Sequence, residues 1–313
     1  MKEDNRHQET IQCPVCLSNA FLWLLITLLA LPLAGAKGQC VMENNAFLPG
    51  ERLQMDVYFK WGLIMPKAGN VELLIDNALN GTKNGNGQNG AAYRYRLLFK
   101  TTSMFDHIFK MRDTIDCHYS KEMQLLRSEK RVNEGGKYLV DDLKFTYNEG
   151  LTRVRSLRYN LEKTKIDTVL VSEDCMTDML GATLFLRTHD ISAMRVGDVI
   201  PFRIAVGRDR VNVRFRYAGQ SIVEHGDNVK FKTKRFYMDI FDEAFTETKE
   251  AIEVWVSDDG NKIPIKIKAK LKIGSAEVKF RSISGNRPAY QPYCNPFQIT
   301  RQYRPIKPAS VSF

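Results

Sequence analysis

Short segments in which apolar and polar residues alternate recur along most of this chain. One begins with Leu53, Met55, Val57 and Phe59, which are separated mainly by polar residues. Successive side chains of a strand point to opposite faces, so this alternation predicts strands with one buried face. Turn-forming residues separate such segments at 135–136, 148–150 and 257–261. Strands joined by short turns predict antiparallel hairpins.

The number of alternating segments predicts the fold class. We expect an all-β protein in which one long antiparallel meander rolls into a strongly curved sheet, a β-roll or an open barrel. Further turns are expected at 217–220 and 224–228, and the Asn- and Gly-rich stretch 80–90 is expected to be a hairpin tip.

One segment, DCMTDMLGATLFLR at 174–187, lacks the alternation. Met176, Met179, Leu180 and Thr183 have helical spacing, and Asp174 is a suitable N-cap residue. The apolar run that follows indicates burial. We therefore predict one buried helix near 174–188 that packs against the sheet.

The N-terminal region resembles a secretory signal. Residues 20–36 read AFLWLLITLLALPLAGA, an apolar run that ends in the small residues Ala34 and Ala36. We expect 1–36 to be removed, 37–300 to form a single β-rich domain, and 301–313 to be a loosely ordered tail. This predicts a periplasmic or outer-envelope protein without a transmembrane span in its mature form. A lipoprotein anchor at Cys40 is the weaker interpretation, because Lys37 and Gln39 are bulky and polar.

The cysteines are consistent with export. Cys13 and Cys16 precede the apolar run, so the mature chain would keep Cys40, Cys117, Cys175 and Cys294. An even number of cysteines in an oxidising compartment indicates two disulfides, with three possible pairings. We prefer Cys40–Cys294 and Cys117–Cys175, and buried free thiols are the alternative.

The charge balance is basic, with a net charge of +10. Basic proteins can bind nucleic acid or anionic membranes. Here lysines are spread along strand-like segments, as at Lys266, Lys268 and Lys270, which is typical of an exposed sheet face. Because we also expect an envelope location, we expect no nucleic-acid partner.

Several segments together resemble the domain-of-unknown-function family 3108, envelope proteins of Gram-negative bacteria. The matching segments are 48–53 (LPGERL), 61–69, 109–114 (FKMRDT), 178–187 (DMLGATLFLR), 196–198, 254–259 (VWVSDD), 263–265 and 272–275. Gly181-Ala182 departs mildly from the Ser or Ala that the family usually carries after the start of this helix. The resemblance covers roughly 47–284 and implies an exported β-rich domain, and it implies nothing about catalytic residues.

Motifs for catalysis or cofactor binding are not evident. There is no P-loop, dinucleotide fingerprint or nucleophile elbow. Asp113, Asp116 and His118 form a polar cluster, and His118 with Asp116 could provide two zinc ligands. An exposed strand face explains the same residues better. We therefore assign no catalytic, cofactor-binding or metal-binding residues, and we expect no cofactor.

Three functions are compatible with these observations. A curved antiparallel sheet can enclose a cavity, which favours a non-enzymatic binding or carrier module for a lipid or another apolar envelope ligand. The alternative is a structural or assembly factor that docks other envelope proteins by a strand edge or its basic face. A hydrolase built around His118 or His189 is a minor third hypothesis.

Overall fold

A computed structural model describes residues 40–78, 90–226, 229–242, 245–271 and 274–288. For residues 242 and 245–249 it describes the backbone alone. All of the described residues belong to the second of the two units into which the chain divides, Gly38–Phe313. The predicted signal segment, the hairpin tip at 80–90 apart from Gly90, Cys294 and the C-terminal tail lie outside the described residues. The domain boundaries therefore stay predictions.

The described chain is mostly β-structure, as the alternation predicts. Its strands are β1 Glu51–Lys60, β2 Lys67–Asn77, β3 Tyr93–Thr101, β4 Arg112–Tyr119, β5 Leu125–Glu134, β6 Lys137–Asn148, β7 Leu151–Tyr159, β8 Thr164–Ser172, β9 Met176–Thr177, β10 Val199–Val206, β11 Asp209–His225, β12 Val229–Asp242, β13 Phe245–Ser257, β14 Pro264–Lys270 and β15 Ser275–Ser284. Two helices accompany them, α1 Ser103–Asp106 and α2 Gly181–Thr188. The hairpin turns predicted at 135–136, 148–150 and 257–261 are confirmed.

All fifteen strands belong to one sheet, in the order β8-β7-β6-β5-β4-β3-β2-β1-β15-β14-β13-β12-β11-β10-β9. Neighbouring strands are antiparallel except β9 and β10, which are parallel. The first strand pairs with the last, with Arg52 opposite Ser284. The predicted class, an antiparallel meander rolled into an open barrel, is therefore confirmed.

The two free edges of the sheet lie next to each other. Strand β8 ends at Ser172 and β9 begins at Met176, so only three residues separate them. Across this seam Arg203 of β10 donates to the Ser172 hydroxyl at 3.1 Å and pairs with Asp174 at 2.8 Å. Side-chain contacts thus replace the missing backbone ladder, and the barrel is nearly closed.

Helix α2 is shorter than predicted. It begins at Gly181, and Met176-Thr177 forms strand β9 instead of the first helical turn. Asp174 is therefore not the N-cap. The β9–β10 pairing of Met176 with Arg203 satisfies backbone groups that would otherwise hydrogen-bond within a helical turn. The prediction that the helix is buried is correct for its sequence 181–188, in which six of eight residues are buried.

The core consists of two apolar clusters on either side of α2. Leu180 and Leu184 pack into a cluster with inward side chains of β1 to β8. Ala182 and Leu186 belong to a second cluster with Phe215 and other residues of β10 to β13. The helix thus fills the barrel and links its two halves.

The prediction of a turn at 217–220 is wrong. Strand β11 runs through these residues without interruption, and its register shifts between Tyr217 and Gly219. Gly219 has φ +98°, a conformation that glycine adopts without steric cost. The glycine therefore forms a β-bulge and not a chain reversal.

Candidate functional site

A buried ion pair holds the C-terminal end of α2. Arg187 donates from Nη1 to Oε1 of Glu51 at 2.6 Å and from Nη2 to Oε2 at 3.0 Å. Both side chains are only 2% exposed. A bidentate pair of this kind fixes orientation as well as distance. It therefore ties α2 to the first residue of β1.

The turn between β13 and β14 completes this attachment. Arg187 Nε donates to the backbone carbonyl of Asn261 at 3.0 Å, and Lys262 Nζ donates to the backbone carbonyl of Arg187 at 2.9 Å. Burial lowers the pKa of Lys262. Arg187 thus joins β1, α2 and the β13–β14 turn, and we call this group of residues the Arg187 anchor.

A second polar group holds the N-terminal end of α2. Asp178 Oδ1 accepts a hydrogen bond from the Gly181 backbone N–H at 2.7 Å, and Asp178 Oδ2 accepts one from the Ser128 hydroxyl at 2.7 Å. Cys117 Sγ lies 3.4 Å from Oδ2. Burial, together with the nearby Asp178 carboxylate, raises the pKa of the Cys117 thiol. The thiol is therefore a packing group and not a nucleophile.

An apolar pocket of about 120 Å³ lies along the side of α2. It is lined by Met179, Ala182, Thr183, Leu186, Ile204, Phe215, Met238, Ile252, Val254, Val256, Pro264 and Ile267. Met179 is 60% exposed, so the lining includes a side chain that reaches solvent. The Thr183 hydroxyl donates to the Leu180 carbonyl at 2.8 Å and also contacts Tyr95 Oη at 2.9 Å. The wall is therefore hydrophobic, and its hydroxyl already has partners.

The predicted polar cluster is divided between the two faces of β4. Asp116 and His118 share the outer face, where Asp116 accepts from Arg94 Nε at 2.9 Å and lies 3.4 Å from His118 Nε2. Burial lowers the pKa of His118, although Asp116 opposes this shift. Asp113 lies on the opposite face and accepts from the Asn133 backbone N–H. In the described ranges, no three His, Cys, Asp or Glu side chains are placed to hold a metal ion.

The preferred disulfide pairing is wrong. Cys40 is bonded to Cys175, with Cα atoms 5.3 Å apart, and Cys117 is a buried free thiol. The pairing Cys117–Cys175 is therefore wrong, and so is Cys40–Cys294, because Cys40 is already bonded. The inward face of β4 places Cys117 beside Ser128 and Asp178, away from Cys175. Spacing along the chain alone could not show this.

Sequence reasoning also missed the Arg187 anchor. Glu51, Arg187 and the segments 254–259 and 263–265 all belong to family-like segments, but these segments are far apart along the chain. The structure shows that they meet at one end of the barrel. The signal in the sequence was Arg187, which directly follows the apolar run Leu184–Leu186. A charged residue in a buried segment needs a buried partner.

No helix within the described ranges has the length and apolar character that crossing a membrane requires.

Comparisons with known proteins agree with this architecture. A β-barrel-like protein from Brucella abortus, a domain of unknown function DUF1849, has a TM-score of 0.51 at 11% identity and covers 79% of this chain and 100% of that chain. A candidate exported protein with a YmcC-like fold from Bacteroides fragilis covers 78% of this chain and 100% of its own, at 9% identity and a TM-score of 0.28. The first likeness concerns the fold alone, and the second carries no argument. No curated protein matches the chain.

The family model for DUF3108, described as a protein of unknown function, matches residues 54–281. These residues include every strand from β2 to β14, helix α2 and all of the residues that line the pocket. The chain therefore belongs to the DUF3108 family.

Proposed function

We propose that this chain is an exported envelope protein that binds the apolar end of a lipid or a similar ligand in the pocket beside α2. The observation that carries the proposal is the pocket itself, because it is almost entirely apolar and lies between α2 and side chains of β10 to β14. Export is supported by the signal-like segment 20–36 and by the Cys40–Cys175 disulfide, which is typical of oxidising compartments.

The size of the pocket limits what can enter. An engineered cavity of roughly 150 Å³ binds benzene, whereas sites for whole drug-sized ligands measure about 300–1,000 Å³. A pocket of about 120 Å³ therefore takes one end of a molecule and leaves the rest outside. The end of an acyl chain fits this volume.

The pocket has no free charge or hydrogen-bond donor with which to recognise a polar ligand. Its selectivity would depend on shape and on burial of methylene groups, each contributing about 0.8 kcal/mol. Headgroup chemistry would then matter little for affinity. Such a module would carry or sense a class of apolar molecules and not a single compound.

Titration with the fluorescent fatty acid cis-parinaric acid, followed by displacement with palmitate, tests the proposal. The variant Ala182→Leu places additional methyl groups in the pocket, and we expect about tenfold weaker binding, from the displacement of two methylene groups. Ala193→Leu is the matched control, because Ala193 is exposed in the loop before β10. Lipid extraction and native mass spectrometry of the purified protein should recover an acyl compound.

Thermal unfolding of each variant shows whether the fold is intact. If folded Ala182→Leu binds the probe as tightly as Ala193→Leu, the pocket is not the site and the proposal fails. Absence of probe binding by the unmodified protein would have the same meaning.

A further inference from the structure

The direction of the strands divides the hairpin turns into two sets. Because neighbours in the sheet are antiparallel, the turns after β1, β3, β5, β7, β10, β12 and β14 all lie at one end of the barrel. We call this end the upper rim. The Arg187 anchor lies at the opposite end, where β1 begins and β13 ends.

The upper rim exposes many large apolar side chains. Among the residues that the structure describes, eight of the fifteen exposed large hydrophobic side chains lie in these turns. They are Trp61, Leu63, Ile64, Met104, Ile108, Phe109, Leu161 and Leu271. Single exposed apolar residues are ordinary, but a concentration on one end of a protein marks an interaction surface.

The tip of the β1–β2 turn is held by the backbone. Trp61 and Ile64 exchange two backbone hydrogen bonds, of 3.0 and 3.2 Å, and Gly62 has φ +58°. This geometry prevents Leu63 from folding back onto the barrel, and its side chain is fully exposed. The apolar tip is therefore a fixed projection.

The connection between β3 and β4 lies directly beside this turn. The Thr102 backbone N–H donates to the Ala68 carbonyl at 2.9 Å, which joins the connection to the start of β2. Phe109 reaches the next turn, where its ring lies 2.9 Å from the position that a Cβ on Gly135 would occupy. The exposed apolar side chains of the β1–β2 turn and of the β3–β4 connection thus lie on neighbouring turns, and Phe109 extends towards the β5–β6 turn.

Around the β1–β2 and β3–β4 turns the exposed charges are mainly positive. Lys60 and Lys110 are exposed beside the two apolar segments. Residues 61–66 contain no carboxylate, and 102–111 contain one, Asp106. Hydrogen bonds from Arg112 and Thr101 lower the pKa of Asp106 to about 2, so its charge is balanced by the adjacent guanidinium. These two turns are therefore apolar with a cationic border, and they are the part of the upper rim on which the proposal rests, since Glu162 is exposed beside Leu161.

We propose that the upper rim docks on a lipid bilayer that contains anionic headgroups. Tryptophan favours the interface between hydrocarbon and water, and basic residues beside it gain about 1 kcal/mol each from an anionic surface. The apolar side chains project from separate turns, an arrangement that suits insertion into a deformable lipid layer. This docking is independent of the pocket proposed above.

Depth-dependent quenching of Trp61 tests the proposal. The chain has two other tryptophans, so Trp23→Phe and Trp255→Phe leave Trp61 as the sole fluorophore. The probe is a vesicle of phosphatidylcholine and phosphatidylglycerol whose acyl chains carry bromine. We expect the Trp61 emission to shift to shorter wavelength and to be quenched, and we expect salt or vesicles of phosphatidylcholine alone to weaken the effect.

Two charge variants provide the comparison. Leu63→Glu should bind these vesicles about tenfold more weakly, because it removes an exposed leucine that would enter the bilayer and adds a negative charge that the anionic headgroups repel. Val196→Glu is the matched control, since Val196 is 72% exposed in a turn at the opposite end and should bind unchanged. The pocket variant Ala182→Leu should also bind vesicles normally, which separates this proposal from the first.

Three results would overturn the inference. Trp61 could remain unquenched on vesicles that bind the protein, Leu63→Glu could bind as tightly as Val196→Glu, or binding could be equal on uncharged vesicles. A crosslink from the rim to a protein, lost in Leu63→Glu without a change in vesicle binding, would assign the surface to a protein partner instead.

Discussion

Removing one member of the Glu51–Arg187 pair should destabilise the protein severely. Glu51→Gln preserves the shape of the side chain but leaves the Arg187 guanidinium, which is 2% exposed, without its counterion. Breaking a buried pair in this way typically costs about 3–5 kcal/mol. We expect Glu51→Gln, and separately Arg187→Met, to lower the free energy of unfolding by that amount.

The double variant Glu51→Leu with Arg187→Met should cost much less than the sum of the single variants Glu51→Leu and Arg187→Met. Replacing both charges with apolar groups removes the unpaired ion, and such replacements are often neutral. The Asn261 carbonyl, 3.0 Å from Arg187 Nε, would lose its donor, which adds about 1–3 kcal/mol. The summed losses of the two single variants should therefore exceed the loss of the double variant by several kcal/mol.

Urea-induced unfolding at neutral pH measures these differences. The slope of free energy against urea should be equal for all variants if the folded and unfolded states keep their surface areas. A change smaller than about 0.5 kcal/mol for Glu51→Gln, or simple additivity in the cycle, would show that the pair does not hold the barrel together.

Two further predictions concern other buried groups. Gly181→Ala would place a Cβ 2.0 Å from Thr177 Oγ1, so we expect it to lower the free energy of unfolding in urea by about 1–3 kcal/mol. Gly260→Ala is the control and should be neutral, because a Cβ at Gly260 meets no atom within 4 Å. Equal effects of the two variants would contradict the packing at α2. Burial alone would raise the pKa of Asp239, but the Glu250 backbone N–H and two arginines hold it below its ordinary value. The stability that ionised Asp239 contributes is therefore present above the unfolded pKa and is lost as pH falls through the folded pKa. Asp239→Asn should lower the free energy of unfolding by about 1–3 kcal/mol at pH 7, and this loss should shrink below about pH 4 in urea titrations. A loss that is constant with pH would refute this.

Local pattern predicted the strands because each strand has one face in the core. The alternation at Leu53 and Met55 matches their burial, and the predicted hairpin turns lie where glycine and polar residues interrupt it. The bulge at Gly219 shows the limit of this reasoning. A short segment with a glycine among polar residues looks the same in sequence whether it forms a turn or a bulged strand. Only the pairing with β12 distinguishes the two.

The candidate site depends on contacts between distant residues, which local pattern does not contain. The start of α2 is set by Asp178 and by the pairing of β9 with β10, and its end is set by Glu51, at a separation of 136 residues. The disulfide likewise joins residues 135 apart. These contacts follow from how the sheet curves, which the sequence of strands alone leaves open.

The pairing of β1 with β15 determines when the protein can become complete. Strand β1, the first in the described part of the chain, can pair with β2 early but finds its second neighbour only when Ser284 has been made. Until then β1 presents an unpaired edge beside an uncovered apolar face, an arrangement prone to aggregation. High contact order also slows folding. A chaperone that holds the nascent chain extended would therefore protect it during most of its synthesis.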